Sequence, residues 1–537
     1  MVGMIVAPEA FAAEAGARVL AGGGNAVDAA VACAFVQGVV DPHDTSVGGY
    51  VLLNMHAPGD APDTSTILDA PATAGSLTSP DMWADRYIGP NPDGWGFFLR
   101  GKPNELGYTS ICTPGTVRGL ATILKRWGTL SLREAVEPAA RLAEVGFVVD
   151  KRIAGYWQAS AAYPEATSVL DMVRANREAS RIYLKQDGSP YTTGQVIRNP
   201  DYATTLRKIG EAGPDEFYTG ELGSRIASDL AAGGAHVTAS DLAGYRLRDV
   251  DPVTGTYRGY TIATSQAPHG GPTLIEILNI LEGWDLAALG HNTAPYVLRV
   301  SLAMKAAFAD RNRHLGDPDF VGVPLGWMTS KERASEWRAE IEAGREIVVD
   351  LMPAGSPGTT HVSVVDGAGA CVALTHSLGG SSGVISPGLG FMYNNSMINF
   401  HPLPGHPNSI APGKGRTTGM SPTIVYREGR PVLVIGAPGA TKIVTAVAQV
   451  IVNVIDFGMG VQEAVYAPRF DSQGGPILTQ IRIPESVCDL VQAQHAVQRL
   501  PTAYGGIALV HAIGIDHETG RLTGGADANS DGMAIEA

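Results

Sequence analysis

The stretch that most limits how this chain can fold runs from Gly358 to Ser377. A Pro/Gly-rich segment (Pro353, Gly355, Pro357) turns abruptly into Gly358-Thr-Thr-His-Val-Ser-Val-Val365, whose alternation predicts a strand with His361, Ser363 and Val365 on one face and Val362 and Val364 on the other. The turn residues Asp366-Gly367-Ala368-Gly369 and a second alternating run, Ala370 to Ser377, complete a β-hairpin. Its first strand begins at a threonine directly after a loop. If the bond before Thr359 is cut, the new α-amine can serve as general base for the threonine's own hydroxyl, which makes that residue a nucleophile. The competing reading is an ordinary hairpin carrying a surface Thr-Thr.

The rest of the chain narrows the function. A net charge of -14 over 537 residues, with no Lys/Arg run, argues against nucleic acid or an anionic membrane as partner. No apolar run approaches the roughly 18 residues of a membrane span. The N-terminus has no basic n-region or long apolar h-region, so the cytoplasm is the simplest location. Cys33, Cys112, Cys371 and Cys488 lie far apart without CxxC spacing and read as buried free thiols rather than a zinc site or a disulfide framework. Helices are expected at 9–20, 26–40, 116–127, 131–145, 273–289, 294–310, 330–343 and 441–457. Strands are expected at 50–55, 253–265, 422–427 and 431–436 as well as in the hairpin.

Several motifs then occur in order: Gly24-Asn-Ala-Val-Asp-Ala-Ala30, Pro114-Gly-Thr-Val117, Gly213-Pro-Asp-Glu-Phe-Tyr218, Tyr257-Arg-Gly-Tyr260, Leu315-Gly-Asp-Pro-Asp-Phe320, Thr359-Thr-His361, Met420-Ser-Pro-Thr423, Gly436-Ala-Pro-Gly439 and Gly520-Arg-Leu-Thr-Gly-Gly-Ala526. Together they resemble the γ-glutamyltranspeptidase family of N-terminal-nucleophile hydrolases. The resemblance implies a four-layer αββα sandwich and a precursor that cleaves itself between Gly358 and Thr359. The products would be a large subunit, 1–358, and a small subunit, 359–537, which stay together. It implies Thr359 as nucleophile and Ser377 as the hydroxyl hydrogen-bonded to it, where the family has Thr. Gly439 and Ala440 fall where the family has a Gly-Gly pair donating backbone N–H groups to the oxyanion. The partners implied are a small-molecule acyl donor and water or an amine as acceptor. Neither a metal nor an organic cofactor is needed.

The substrate contacts depart from the family. Its carboxylate-gripping arginine is Pro71 here, and proline offers no bidentate fork. Ser396 and Asn399 replace the polar and acidic residues that hold the substrate ammonium, Gly379 replaces an Asn, and Thr418-Gly419 replaces a Ser-Ser pair. Such a site should not prefer a zwitterionic glutamyl group unless Arg416, Lys414 or Arg118 compensates. The expected activity is therefore that of an autoprocessing Thr hydrolase or acyltransferase on an amide donor. One alternative is hydrolysis of a C–C bond beside a keto group; a non-catalytic binding protein on the same scaffold is the other. Among the remaining candidates, His361 reads as structural, and His376, His401 and His406 as packing or surface residues. Asp310-Arg311 reads as a buried ion pair, Asp317 and Asp319 as a capped loop. Gly22 to Gly24 lacks the context of a phosphate loop.

Overall fold

A computed structural model describes residues 2–92, 96–350 and 358–537. Two antiparallel sheets carry the fold. In chain order their strands are β1 (Met4–Ala7), β2 (Tyr50–His56), β3 (Thr66–Ala70), β4 (Arg248–Val250), β5 (Val253–Tyr257), β6 (Tyr260–Thr264), β7 (Gly358–Val365), β8 (Cys371–Gly379), β9 (Thr423–Arg427), β10 (Arg430–Gly436), β11 (His511–Ile515), β12 (Leu522–Ala526) and β13 (Met533–Glu536). The seven-stranded sheet runs β13-β1-β7-β8-β2-β3-β4 and the six-stranded sheet β12-β11-β10-β9-β6-β5. Segments before and after Gly358 interleave in both, so strands of each part are hydrogen-bonded to strands of the other.

The hairpin alternates as its sequence requires. Val362 and Val364 join a core shared with helices α1 (Ala10–Ala21), α2 (Ala26–Val40), α3 (Thr116–Trp127) and α4 (Leu132–Val145). Val365 faces the other way and packs with Ala263, Ile424, Val434 and Ile513 of the second sheet. That sheet's outer face is covered by α6 (Gly271–Leu281), α7 (Ala294–His314) and α8 (Lys442–Ile455). The order helix, sheet, sheet, helix is the expected sandwich. A further helix, α5 (Lys151–Gln158), lies at the edge of the first core.

Local chemistry fixes the pieces nearest the site. The Gly24-Asn-Ala-Val-Asp motif is a capping box: the Asn25 side chain accepts from the Val27 and Asp28 N–H groups, and Asp28 accepts from the Asn25 N–H. The hairpin turn is tied to that helix start. Asp366 accepts from Ala368 and Ala370 with one oxygen and from the Ala26 N–H with the other, at 2.9 Å. The nucleophile candidate is thereby braced against α2.

The strand bounds differ from expectation by a residue or two, and the 273–289 segment is a helix to Leu281 followed by a separate turn at Leu286–Leu289. One pairing is corrected. Asp310 does not bind Arg311. It takes a two-pronged bond from Arg333, at 2.7 and 2.9 Å, while Arg311 donates to the Thr418 carbonyl. Successive residues on a helix diverge by about 100° and do not face each other.

Candidate active site

Thr359 and Thr360 are buried, not a surface pair. A register shift between Gly358 and Thr360 leaves one extra residue on β8, and such bulges re-aim side chains beside active sites. Here the shift brings Ser377 against the Gly358–Thr359 peptide. Ser377 Oγ lies 3.0 Å from Thr359 Oγ1 and donates to the Gly358 carbonyl, and Thr359 Oγ1 is 2.8 Å from that same oxygen. The Gly379 N–H donates to Ser377 Oγ at 2.7 Å, which orients the serine's proton toward Gly358.

Two cavities meet at this bond. One, of about 360 Å³, is lined by Gly358, Gly380, Ser381, Asn395 and Glu105. The other, of about 210 Å³, is lined by Thr359, Gly439, Lys442, Arg152 and Asn529. Asp44 and Tyr156 border both. The Gly358–Thr359 bond thus separates a pocket on its acyl side from one on its amine side.

Gly439 has φ 136°, and a Cβ there would meet the Ala508 Cα at 2.5 Å, so no side chain fits. Ala440 follows at φ 60°, a left-handed conformation that strains alanine. The pair precedes the first turn of α8, and among the described residues nothing accepts a hydrogen bond from either N–H. Donors at a helix start suit an oxyanion.

The substrate-contact positions divide. Gly379 and Ser396 lie together: a Cβ on Gly379 would sit 3.2 Å from Arg416 Nη2, 3.4 Å from Asn395 Oδ1 and 3.6 Å from Ser396 Oγ. Gly419 abuts the Gly439–Ala440 turn, since its Cβ would fall 2.1 Å from the Ala440 carbonyl oxygen. The family's second serine cannot be accommodated there without moving that turn. Thr418 Oγ1 bonds His269 Nδ1 at 2.8 Å, and His269 Nε2 lies 3.0 Å from Asp69 Oδ2. Asn399 is buried on the turn Ser396–Asn399, and its carbonyl accepts from Asn408. Pro71 stands apart. It lines a different cavity with Tyr245, Arg248 and Asp319 and accepts the Tyr245 hydroxyl at its carbonyl.

Of the three possible substitutes for the missing cation, Arg118 pairs with Asp215 and stacks on Tyr218. Lys414 points at the Pro407 and Ser409 carbonyls. Arg416 alone of the three reaches Gly379. Its guanidinium stacks 4.7 Å from the Tyr50 ring, bonds the Tyr50 hydroxyl and is pushed down to about 9 by burial.

Sequence reasoning missed a buried charge cluster on the amine side. Arg152, from α5, pairs with Glu9, Asp41 and Asp44, and Tyr156 donates to Asp44 at 2.9 Å. Burial raises Glu9 to about 8, with the Asp41 charge adding to it and Arg152 opposing it; burial also raises Asp44. Glu9 accepts from Thr360 Oγ1 at 2.8 Å, so the cluster touches the residue after the nucleophile candidate. No local signal announces it, because its members come from three separate segments, at Glu9, Asp41–Asp44 and Arg152–Tyr156. His361 is structural as expected: it bonds Thr375 and Ser363, packs on Gly436, and burial holds it well below the ordinary imidazole range. His376 is buried between Thr45 and Gln37. Among the described residues no three His, Cys, Asp or Glu side chains form a metal-binding group, and no helix is long and apolar enough to cross a membrane.

Fold and site together define an N-terminal-nucleophile hydrolase, a class of enzymes made as proenzymes. The family model for gamma-glutamyltranspeptidase matches residues 12–537, and the chain belongs to that family. It is 37% identical over 541 residues to the acylase ACY 1 proenzyme of Pseudomonas sp. (strain V22), covering 99% of this chain and 93% of that one. It is 35% identical to the glutathione hydrolase proenzyme of Escherichia coli (strain K12), covering 88% and 81%. A crystal structure of cephalosporin acylase from Bacillus halodurans superposes with a TM-score of 0.88 at 28% identity, covering 99% of this chain and 95% of that one. The protein is therefore an autoprocessing hydrolase or acyltransferase that works as two subunits.

Proposed function

We propose that this chain is an acylase that cleaves itself between Gly358 and Thr359 and then uses Thr359 to hydrolyse amides whose acyl group lacks the α-ammonium of glutamate. The observation that carries the reading is the placement of the Thr359 and Ser377 hydroxyls on the Gly358 carbonyl, at the junction of the two cavities.

In self-cleavage, Thr359 Oγ1 attacks the Gly358 carbonyl carbon while Ser377 donates to the oxygen that becomes negative. The C–N bond breaks, the nitrogen takes the hydroxyl proton, and an ester joins Gly358 to Thr359 Oγ1. Water hydrolyses that ester, leaving a Gly358 carboxylate and a free Thr359 α-amine. In turnover the α-amine accepts the Thr359 hydroxyl proton as Oγ1 attacks the donor amide, and it returns the proton to the departing amine. Gly439 lines the same cavity as Thr359, and its N–H together with that of the adjoining Ala440 is assigned to the oxyanion of this second reaction. Water, entering from the amine-side cavity, is the acceptor that completes hydrolysis.

Glutamyl preference is disfavoured by the residues at the clamp. Pro71 supplies no cation and lies in a separate cavity, and Asn399 carries no charge to match an ammonium. Relatives named as acylases match nearly the whole chain, which agrees with an amide donor of another kind. The test compares kcat/KM of the processed enzyme on γ-glutamyl p-nitroanilide with p-nitroanilides of amine-free acyl chains. At least one amine-free substrate is expected to win by about tenfold or more, as one lost charge contact predicts. A preference for the γ-glutamyl compound would overturn the reading.

A further inference from the structure

Resting on the self-cleavage reading, we infer that Gln37 is a positioning residue for both reactive hydroxyls: its one side-chain amide bridges β7 and β8 beside the bulge and sets the register that brings Ser377 to Thr359. Gln37 is buried on α2 and touches the two residues that flank the reactive pair. Its Nε2 donates to Thr360 Oγ1 at 2.8 Å, and its Oε1 accepts from His376 Nε2 at 2.8 Å. Thr360 follows Thr359, and His376 precedes Ser377. The two are paired across the hairpin and form the first pair past the register shift. A bulge moves along a hairpin by trading one pair for the next, and each step turns side chains of the bulged strand to the opposite face. Here such a step would turn Ser377 away from Thr359, and it requires both Gln37 bonds to break.

The amide is held one way round. The His361 carbonyl, 3.3 Å from Gln37 Nε2, can only accept, so the nitrogen belongs on the β7 side and the oxygen on the β8 side. An amide oxygen cannot donate, so His376 carries its proton on Nε2, and its Nδ1 accepts the Thr45 hydroxyl at 2.6 Å. Burial lowers His376 to about 3, which keeps the ring in this neutral form. Glu9 Oε2 takes the other Nε2 proton at 2.7 Å, and Glu9 Oε1 takes the Thr360 hydroxyl at 2.8 Å and Arg152 Nη2 at 3.2 Å. Glu9 thereby anchors the register to the buried ion cluster. Gln37, Glu9 and Arg152 lie before Gly358, and Thr360 and His376 after it, so the grip spans the two subunits once the chain is cut.

The test follows self-cleavage of freshly translated precursor on a denaturing gel for the parent, Gln37→Glu and Gln37→Leu. A protonated glutamic acid has one O–H donor and one carbonyl acceptor, as the grip needs, whereas its carboxylate only accepts. The ionisable groups around position 37 are Glu9, Arg152, His361 and His376, with Cys33 and Asp41 one helical turn away on either side. All are present in the parent, so the variant-to-parent ratio isolates residue 37. Gln37→Glu is expected to cleave within about threefold of the parent at about pH 5.5 and about tenfold or more slower at about pH 9. Gln37→Leu, which offers neither bond, is expected to be about thirtyfold or more slower at both. The part of it that does cleave should show a lowered kcat on an anilide with KM within about threefold, because hydroxyls rather than pockets have moved. Where Gln37→Leu is insoluble, the pH dependence of Gln37→Glu decides. Parent-like cleavage of Gln37→Glu at both pH values, or a deficit equal at both, overturns the inference and leaves Thr359 as nucleophile. A parent that is never cut between Gly358 and Thr359 overturns both.

Discussion

Replacing Ser377 by alanine is the most informative perturbation of self-cleavage, because one oxygen serves three partners. It donates to the Gly358 carbonyl, lies 3.0 Å from the Thr359 hydroxyl and accepts the Gly379 N–H at 2.7 Å. Loss of a donor to a developing oxyanion costs about 2.7–4 kcal/mol, or roughly a hundred- to a thousandfold in rate. Separately, the buried Gly379 N–H is orphaned, at about 1–3 kcal/mol of stability. Ser377→Ala should therefore slow conversion of the 56.1 kDa precursor by at least about a hundredfold and lower its melting temperature modestly. Ser377→Thr, which keeps the hydroxyl, should process within about tenfold of the parent. The assay follows freshly translated precursor on a denaturing gel against time. A Ser377→Ala half-time within about threefold of the parent would refute the role of this hydroxyl.

Three more outcomes are expected. Glu9 is held to about 8 in the fold, above the ordinary carboxyl value of 4.5, so between those pH values the unfolded chain binds fewer protons and stability falls as pH rises. Glu9→Gln should flatten the decline of melting temperature between about pH 5 and 8, and an unchanged slope would show that Glu9 is ionised in the fold. Ala440→Gly relieves a left-handed alanine at φ 60° and keeps the N–H; it should raise stability by up to about 1 kcal/mol in a thermal melt without loss of turnover. Gly419→Ser drives a side chain into the Ala440 carbonyl; it should slow anilide turnover by about tenfold or more while self-cleavage, which uses Ser377, continues. Equal loss of both activities in that variant would place the oxyanion turn in self-cleavage as well.

Much of this was legible because it is local. Period-two alternation gives the hairpin and its faces, and Asn25 with Asp28 announces the start of α2. The resemblance aligned Ser377 with Thr359, and the bulge realises the alignment by shifting one residue of β8. What was hidden depends on packing across long separations. Arg152 meets acids from positions 9, 41 and 44, and Asp69 meets His269 and, through it, Thr418. Asp310 was misassigned because its true partner, Arg333, lies a loop and a helix away. Arg416 could be named as a replacement cation but not placed, since its position is set by the Tyr50 ring on another strand.

The measurement closest to the centre is the intact mass and N-terminal sequence of the purified protein, beside its Thr359→Ala variant. The parent should yield two fragments divided between Gly358 and Thr359, the smaller beginning Thr-Thr-His, and the variant a single inactive chain of about 56 kDa. Cleavage of the variant at that bond, or a parent that stays whole yet hydrolyses anilides, would contradict Thr359 as the nucleophile.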